Sequence, residues 1–267
     1  MTPVSITDQL RRLRAELQPI APLAEVDVTL PASGRHLAIT RPTNLDGLLD
    51  QVATDPEQNL PYWSEIWPSG IALADAILNR PDLIRATRTL EIGSGLGITA
   101  IAALAAGANL TVSDYAPESL ALCRYNALAN LGHEPTTLQM NWRRPDPALF
   151  DLASAGFPLV LAADVLYEAR DVGPLLTLLA HITAPDGLLW LAEPGRTAAQ
   201  RFLDDAAGSG WHITSETHAG PWPDPKDEHV IVGVHLLRKS LSFEPAHHPL
   251  QKLPRLRHHK TEAVEVG

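Results

Sequence analysis

One segment constrains this chain more than any other: Glu91-Ile92-Gly93-Ser94-Gly95-Leu96-Gly97, set between a short apolar run and an Ala-rich stretch. Glycines between a strand and a helix let the backbone turn sharply and bring helix N–H groups up to a ligand. Such a loop belongs to an α/β sheet, and the chain around it keeps that rhythm. Residues 89–92, 110–113, 137–140, 159–163 and 188–192 read as short buried strands. Between them, helices are expected from Pro68-Ser69-Gly70, over 99–106 up to Gly107, over 117–131 up to Gly132, over 172–181 and over 198–207. Pro117 suits a first helical turn and Gly132 a helix end. Pro185-Asp186-Gly187 reads as a turn, and 211–217 with 230–237 as an antiparallel edge. The expected architecture is a doubly wound, Rossmann-like α/β sheet with an antiparallel C-terminal edge.

Ahead of that sheet, 7–17 has Leu10, Leu13 and Leu17 at helical spacing. Residues 26–30 and 36–40 flank Pro31-Ala32-Ser33-Gly34-Arg35 and read as a hairpin. Residues 1–60 are thus expected to be a helix-and-hairpin extension containing a polar loop at 55–59, and 61–239 the main domain. After Ser240 periodicity stops, and Pro245, Pro249, Pro254 and two His-His pairs indicate a solvated, disordered tail over 240–267. No histidine spacing there matches a metal site.

Charge and composition narrow the function. A net charge of −10 argues against bulk attraction to nucleic acid. A lone cysteine, Cys123, excludes a disulfide framework and a Cys-based zinc site. The longest apolar stretch, 98–108, falls short of the ~20 residues that span a bilayer. No secretory leader is visible. The expectation is a cytoplasmic monomer that acts without nucleic acid, membrane or metal.

The glycine spacing decides the ligand class. A dinucleotide fingerprint needs Gly or Ala at the sixth position of G-x-G-x-x-G; here that position is Ile98. Asp114 ends the next strand, where a carboxylate can accept ribose hydroxyls, or can instead cap the helix opened by Pro117. Asn141-Trp142 follows the third strand, and an indole there can cover a purine. The fourth strand delivers Asp164 and Tyr167 to the same crevice.

The G-x-G-x-G spacing, with Glu91 two residues ahead, resembles motif I of class I S-adenosylmethionine-dependent methyltransferases. Asp164-Val165-Leu166-Tyr167, taken with Pro61-Tyr62-Trp63 and Ile66-Trp67-Pro68-Ser69-Gly70, is similar to the family 16, seven-β-strand protein lysine methyltransferases. Glu193-Pro194-Gly195-Arg196 resembles the D-P-G-R segment of that family's electron-transfer-flavoprotein β-subunit branch. The likeness runs from about Leu60 to Leu237; Asn141 and Glu193 stand where relatives often carry Asp.

The resemblance implies S-adenosylmethionine as cofactor. It places Gly93, Gly95, Gly97 and Glu91 around the methionine and ribose portions, Asp114 on the ribose and Trp142 against adenine, with Trp67 and Ala163 also touching the cofactor. It puts Asp164 and Tyr167 on the acceptor channel. A free lysine amine has a pKa near 10.4 and must lose its proton before attack. Asp164 is expected to orient that amine first and act as a base only second. The implied activity is lysine N-methylation of a protein substrate. Two other readings stay open: N-methylation of a small-molecule amine, and a non-catalytic module that binds the cofactor and a partner.

Overall fold

The computed structural model describes residues 5–44, 48–49 and 60–239. The polar loop expected at 55–59 and the tail expected over 240–267 lie outside the described residues. Helix α1 (Ile6–Leu17) precedes an antiparallel hairpin of β1 (Leu23–Thr29) and β2 (His36–Pro42). The main sheet has seven strands in the order β5-β4-β3-β6-β7-β9-β8. They are β3 (Arg88–Ile92), β4 (Asn109–Asp114), β5 (Thr136–Gln139), β6 (Phe157–Ala163), β7 (Thr183–Glu193), β8 (Trp211–His218) and β9 (Val232–Lys239). Strands β3 to β7 pair in parallel, whereas β9 runs antiparallel to both β7 and β8.

Helices α2 (Pro68–Asn79), α3 (Ile98–Ala105) and α4 (Pro117–Leu131) cover one face of the sheet. Helices α5 (Pro147–Leu152), α6 (Val172–Ile182) and α7 (Thr197–Gly208) cover the other. Strand β6 shows why two layers form. Leu159 and Leu161 join one apolar cluster while Val160 and Ala162 join the other, as a period of two requires of a strand buried on both sides. Helix α4 ends as its sequence dictates, with Gly132 left-handed at φ 76°. None of the helices among the described residues is long and apolar enough to cross a membrane.

One expectation needs correction, and one element was not expected. Pro185-Asp186-Gly187 does not separate a helix from a strand, because β7 already begins at Thr183. The segment is instead an irregularity within the strand: the β6–β7 register shifts between Phe157 and Leu159. Gly187 is needed there, since a Cβ would sit 2.8 Å from the Phe157 carbonyl oxygen. Helix α5 was not anticipated; a six-residue helix is too short to show a period, although Asp146 caps it and Pro147 opens it.

The hairpin is fastened to the sheet domain by two asparagines one turn apart on α4. Asn126 Oδ1 accepts from the Thr40 N–H at 2.8 Å, and Asn126 Nδ2 donates to the Thr40 carbonyl at 3.0 Å. Asn130 repeats the pattern on Ala38, at 3.0 and 2.8 Å. The helix thus offers side-chain amides where a further strand would offer backbone. Asn126 Nδ2 also donates to the Leu96 carbonyl at 2.9 Å, which ties the hairpin to the glycine loop. Asn126 and Thr40 are both buried. Asn126→Ala should therefore leave several buried backbone groups unpaired and cost about 2–4 kcal/mol. Urea unfolding monitored by circular dichroism checks this; a loss under about 0.5 kcal/mol would mean water replaces the amide without penalty.

Candidate active site

The strand order reverses between β3 and β6. From β3 the chain builds outward through β4 and β5, whereas β6 starts the opposite half. Ligands of open α/β sheets bind in the crevice at the carboxyl ends of strands flanking such a reversal. Here those ends carry the glycine loop after Ile92 and Asp164 after Ala163.

The glycine loop is shaped by sterics. Gly93, Gly95 and Gly97 all have positive φ, at 72°, 49° and 85°. At Gly97 a Cβ would lie 2.8 Å from Cys123 Sγ and 3.0 Å from Cys123 Cα, so glycine is what lets α3 start against α4. The loop is sewn to β4: the N–H groups of Gly93 and Ser94 both donate to the Ser113 carbonyl, at 2.8 and 3.1 Å. Glu91, Gly93, Gly95, Gly97, Trp67 and Ala163 line one pocket, so six of the expected cofactor residues meet. Glu91 is buried, and its Oε2 has no hydrogen-bond partner within the protein. Such an oxygen in a glycine-lined wall fits a ligand that brings a cation or a donor.

Asp114 sits behind the loop. Its Oδ2 accepts from Gly95 N–H at 3.1 Å and from Ser119 Oγ at 2.7 Å, while Oδ1 accepts from Ala116 N–H at 3.1 Å. Of the two roles open to it, the contacts to Ala116 and Ser119 place it at the helix start, and the contact to Gly95 adds a third, setting the glycine loop at the end of β4. Burial raises its carboxyl above the ordinary range, against the lowering effect of these donors. Trp142 is buried in the apolar cluster beside Gly93, with its indole Nε1 donating to Asp171 Oδ1 at 3.0 Å. A Cβ on Gly93 would come within 3.7 Å of that ring. Arg143 grips the same Asp171 through Nε and Nη2, at 2.6 and 3.1 Å.

A second pocket, of about 150 Å³, is lined by Tyr62, Trp67, Asp164, Tyr167 and Arg196. Trp67 lines both pockets, which makes them neighbours. Its indole N–H donates to the Tyr62 carbonyl at 2.8 Å. Tyr62 packs edge-on against Trp67 and Tyr167, with ring centroids 6.1 and 5.1 Å away. Burial pushes the Tyr167 phenol above its ordinary pKa, with the Asp171 carboxylate adding to the shift. Asp164 adopts a left-handed backbone, φ 57°, with its N–H donating to the Ala192 carbonyl at 2.9 Å. Non-glycine residues at positive φ are uncommon, Asp being among those that tolerate it, and they cluster at functional sites. Asp164 Oδ2 accepts from Ser69 Oγ at 3.2 Å, and Oδ1 is paired with Arg196 Nη1. Among the described residues no three His, Cys, Asp or Glu side chains converge as a metal ligand set.

A family model described as lysine methyltransferase matches residues 57–207. The chain belongs to the lysine methyltransferase family. The human electron transfer flavoprotein beta subunit lysine methyltransferase (Homo sapiens) is 33% identical over 110 residues, covering 40% of this chain and 39% of the relative. The protein-lysine methyltransferase METTL21E of Bos taurus is 28% identical, over 54% of this chain and 51% of the relative. The EEF1A lysine methyltransferase 3 of Mus musculus is 25% identical, over 70% and 76%. The chain spans about half the length of the first curated relatives it matches. Among solved structures, the N-methyltransferase NodS of Bradyrhizobium japonicum, bound to S-adenosyl-L-homocysteine, superposes over 73% of this chain and 98% of its own, with TM-score 0.51 and 16% identity. That likeness shows the fold, a Rossmann-like methyltransferase sheet.

Four residues of this lysine methyltransferase family member escaped the sequence reading: Tyr62, Ser69, Asp171 and Arg196. Three stand inside motifs that were recognised, P-Y-W, W-P-S-G and E-P-G-R, so their presence was visible and only their direction was not. Asp171 carries no sequence signal; its partner Trp142 lies across the fold.

Glu91 sets a pH signature for the ligand-free protein. Burial holds its carboxyl well above the ordinary range, and Asp114 adds to the shift. A carboxyl with a raised folded pKa stabilises the fold fully below its unfolded value, here 4.5, and that contribution is lost as pH rises through the folded value. Glu91→Gln carries no such charge. It should melt higher than wild type at pH 8, with the gap closing toward pH 4.5. Thermal melts across this range decide it: parallel curves for the two proteins would refute the argument.

Proposed function

We propose that the chain is an S-adenosylmethionine-dependent N-methyltransferase acting on lysine side chains of a protein substrate. The observation that carries this reading is the adjacency of the two pockets at the strand reversal. The glycine-lined pocket with its unpartnered Glu91 oxygen fits the donor, and the aromatic pocket around Asp164 fits the acceptor. Family membership and the methyltransferase fold support the same reading.

Gly93, Gly95 and Gly97 would let the cofactor approach the backbone, and Glu91 would answer its methionine ammonium. Trp67 and Ala163 would stand at the boundary of the two pockets, and Trp142 would back the loop from the apolar side. When bound, S-adenosylmethionine supplies an electrophilic methyl group on a sulfonium sulfur. Because that methyl is already reactive, the chain's own work is alignment and exclusion of water. Tyr62, Trp67 and Tyr167 would sheathe the alkyl stem of a lysine, and Asp164 would hydrogen-bond its amine and aim it. The proton leaves to water before transfer, since a neutral amine is the nucleophile.

Incubation of the purified protein with a cell lysate and tritiated S-adenosylmethionine, in the presence of a chelator, tests this function. Label should enter acid-precipitable protein. Label confined to small molecules would instead support an amine N-methyltransferase, and cofactor binding without any transfer would support a binding module.

A further inference from the structure

Both oxygens of the Asp164 carboxylate are already engaged, and a guanidinium stands at the one that faces the aromatic pocket. One of its oxygens accepts from Ser69 and the other is paired with the Arg196 guanidinium. Resting on the acceptor pocket assigned above, we propose that Arg196 holds the place of the acceptor's cation. Its guanidinium is a built-in competitor that an incoming lysine must displace from Asp164, and it thereby weakens every acceptor alike, which keeps small free amines that bring no other contacts from filling the pocket.

Three features support this. First, the guanidinium lies where an ammonium would be recognised: it pairs with the pocket's carboxylate, and its central carbon is 5.8 Å from the Trp67 ring centroid. A carboxylate beside an aromatic face recognises cations as a class, so the pocket does not distinguish a guanidinium from an ammonium by charge. Second, the two partners differ in freedom. The Asp164 side chain is 6% exposed and its backbone is fixed, whereas the Arg196 side chain is 32% exposed and can swing to water. Third, the root of Arg196 is pinned independently of its guanidinium. Glu193 Oε2 accepts from the N–H groups of Gly195 and Arg196, at 2.6 and 3.2 Å, and Glu193 Oε1 is in turn 3.2 Å from His235 Nε2. The side chain thus leaves and returns to the same place.

The loss is the same for every acceptor, and what differs is what each brings to set against it. A pocket that is competent only when its occupant is away binds any ligand more weakly by the competent fraction. A small amine has only its ammonium to set against that loss. A lysine carried on a protein brings contacts outside the pocket, which can offset it.

The test is binding, with n-butylammonium as a lysine side-chain probe, followed by NMR titration at pH 8 on the full chain. Arg196→Met should bind it at least tenfold more tightly than wild type, and Arg196→Gln should behave the same. Neutral n-butanol should show no comparable gain, and adding Asp164→Asn should erase it. Thermal melts verify that each variant is folded; if one of the two does not fold, the other carries the test. Equal or weaker n-butylammonium binding by a folded Arg196 variant overturns the proposal, as does an equal gain for n-butanol. This readout needs no methyl transfer. Failure of the lysine assignment would appear instead as a wild-type protein that labels no protein in a lysate, whatever the probe binding shows.

Discussion

Asp164→Ala should lower methyl transfer at least about a hundredfold, the scale seen when one positioned polar group is removed from a transition state. Affinity for S-adenosylmethionine should stay within about twofold, because the lost contact faces the acceptor pocket and not the glycine loop. The change also removes the partner of Arg196 and a residue whose backbone is left-handed, and alanine tolerates that conformation less well than Asp. Asp164→Asn is therefore the sharper variant. It keeps the shape and the tolerance for positive φ and removes only the charge. Both variants should lose turnover to a similar degree. If Asp164→Asn retained near wild-type turnover, the carboxylate's part would be confined to holding the strand end.

Asp114→Ala should give the opposite pattern. Three donors converge on this carboxylate, from Gly95, Ala116 and Ser119. Alanine would leave the two N–H groups unpaired in a buried place, and charge-assisted bonds of this kind contribute about 1.5–3 kcal/mol each. The glycine loop would keep its backbone bonds to Ser113 but lose the tie at Gly95, so cofactor affinity should fall by about a hundredfold or more. Turnover at saturating cofactor should recover far more than affinity does. Calorimetric titration of S-adenosylmethionine into the two alanine variants reads this directly; equal affinities would show that Asp114 and Asp164 do not divide donor and acceptor roles.

The parts of this fold written in local chemistry were legible in the sequence. Helix α4 was bounded by Pro117 and Gly132 because each acts on its own neighbours. The glycine loop was legible for the same reason, and its exclusion of a dinucleotide rested on Ile98 alone. The hairpin and the antiparallel edge followed from alternation and turn residues. What was not legible depends on residues far apart in the chain. Asn126 looks like any polar helical residue, and only the placement of β2 beside α4 turns it into a substitute strand edge. Asp114 was read as a ribose ligand or a cap, and the fold adds a role as organiser of Gly95. Asp164 was read as an acceptor-facing carboxylate, but no sequence pattern announces that Arg196 comes back from the end of β7 to occupy it. Pro185-Asp186-Gly187 has the composition of a turn and is instead absorbed by a shift in strand register, which a neighbouring strand decides.

The most direct test of the account is the identity of the residue that receives the methyl group. Wild-type protein and Asp164→Asn would each be incubated with S-adenosylmethionine carrying an isotopically heavy methyl group and a lysate from which endogenous cofactor has been removed. The labelled proteins would then be digested and sequenced by mass spectrometry. The account predicts heavy methyl groups on the side-chain nitrogen of lysine in the wild-type reaction, and at least a hundredfold fewer with Asp164→Asn. Heavy methyl groups on histidine, on terminal amines or on free metabolites, or equal lysine labelling by both proteins, would contradict it.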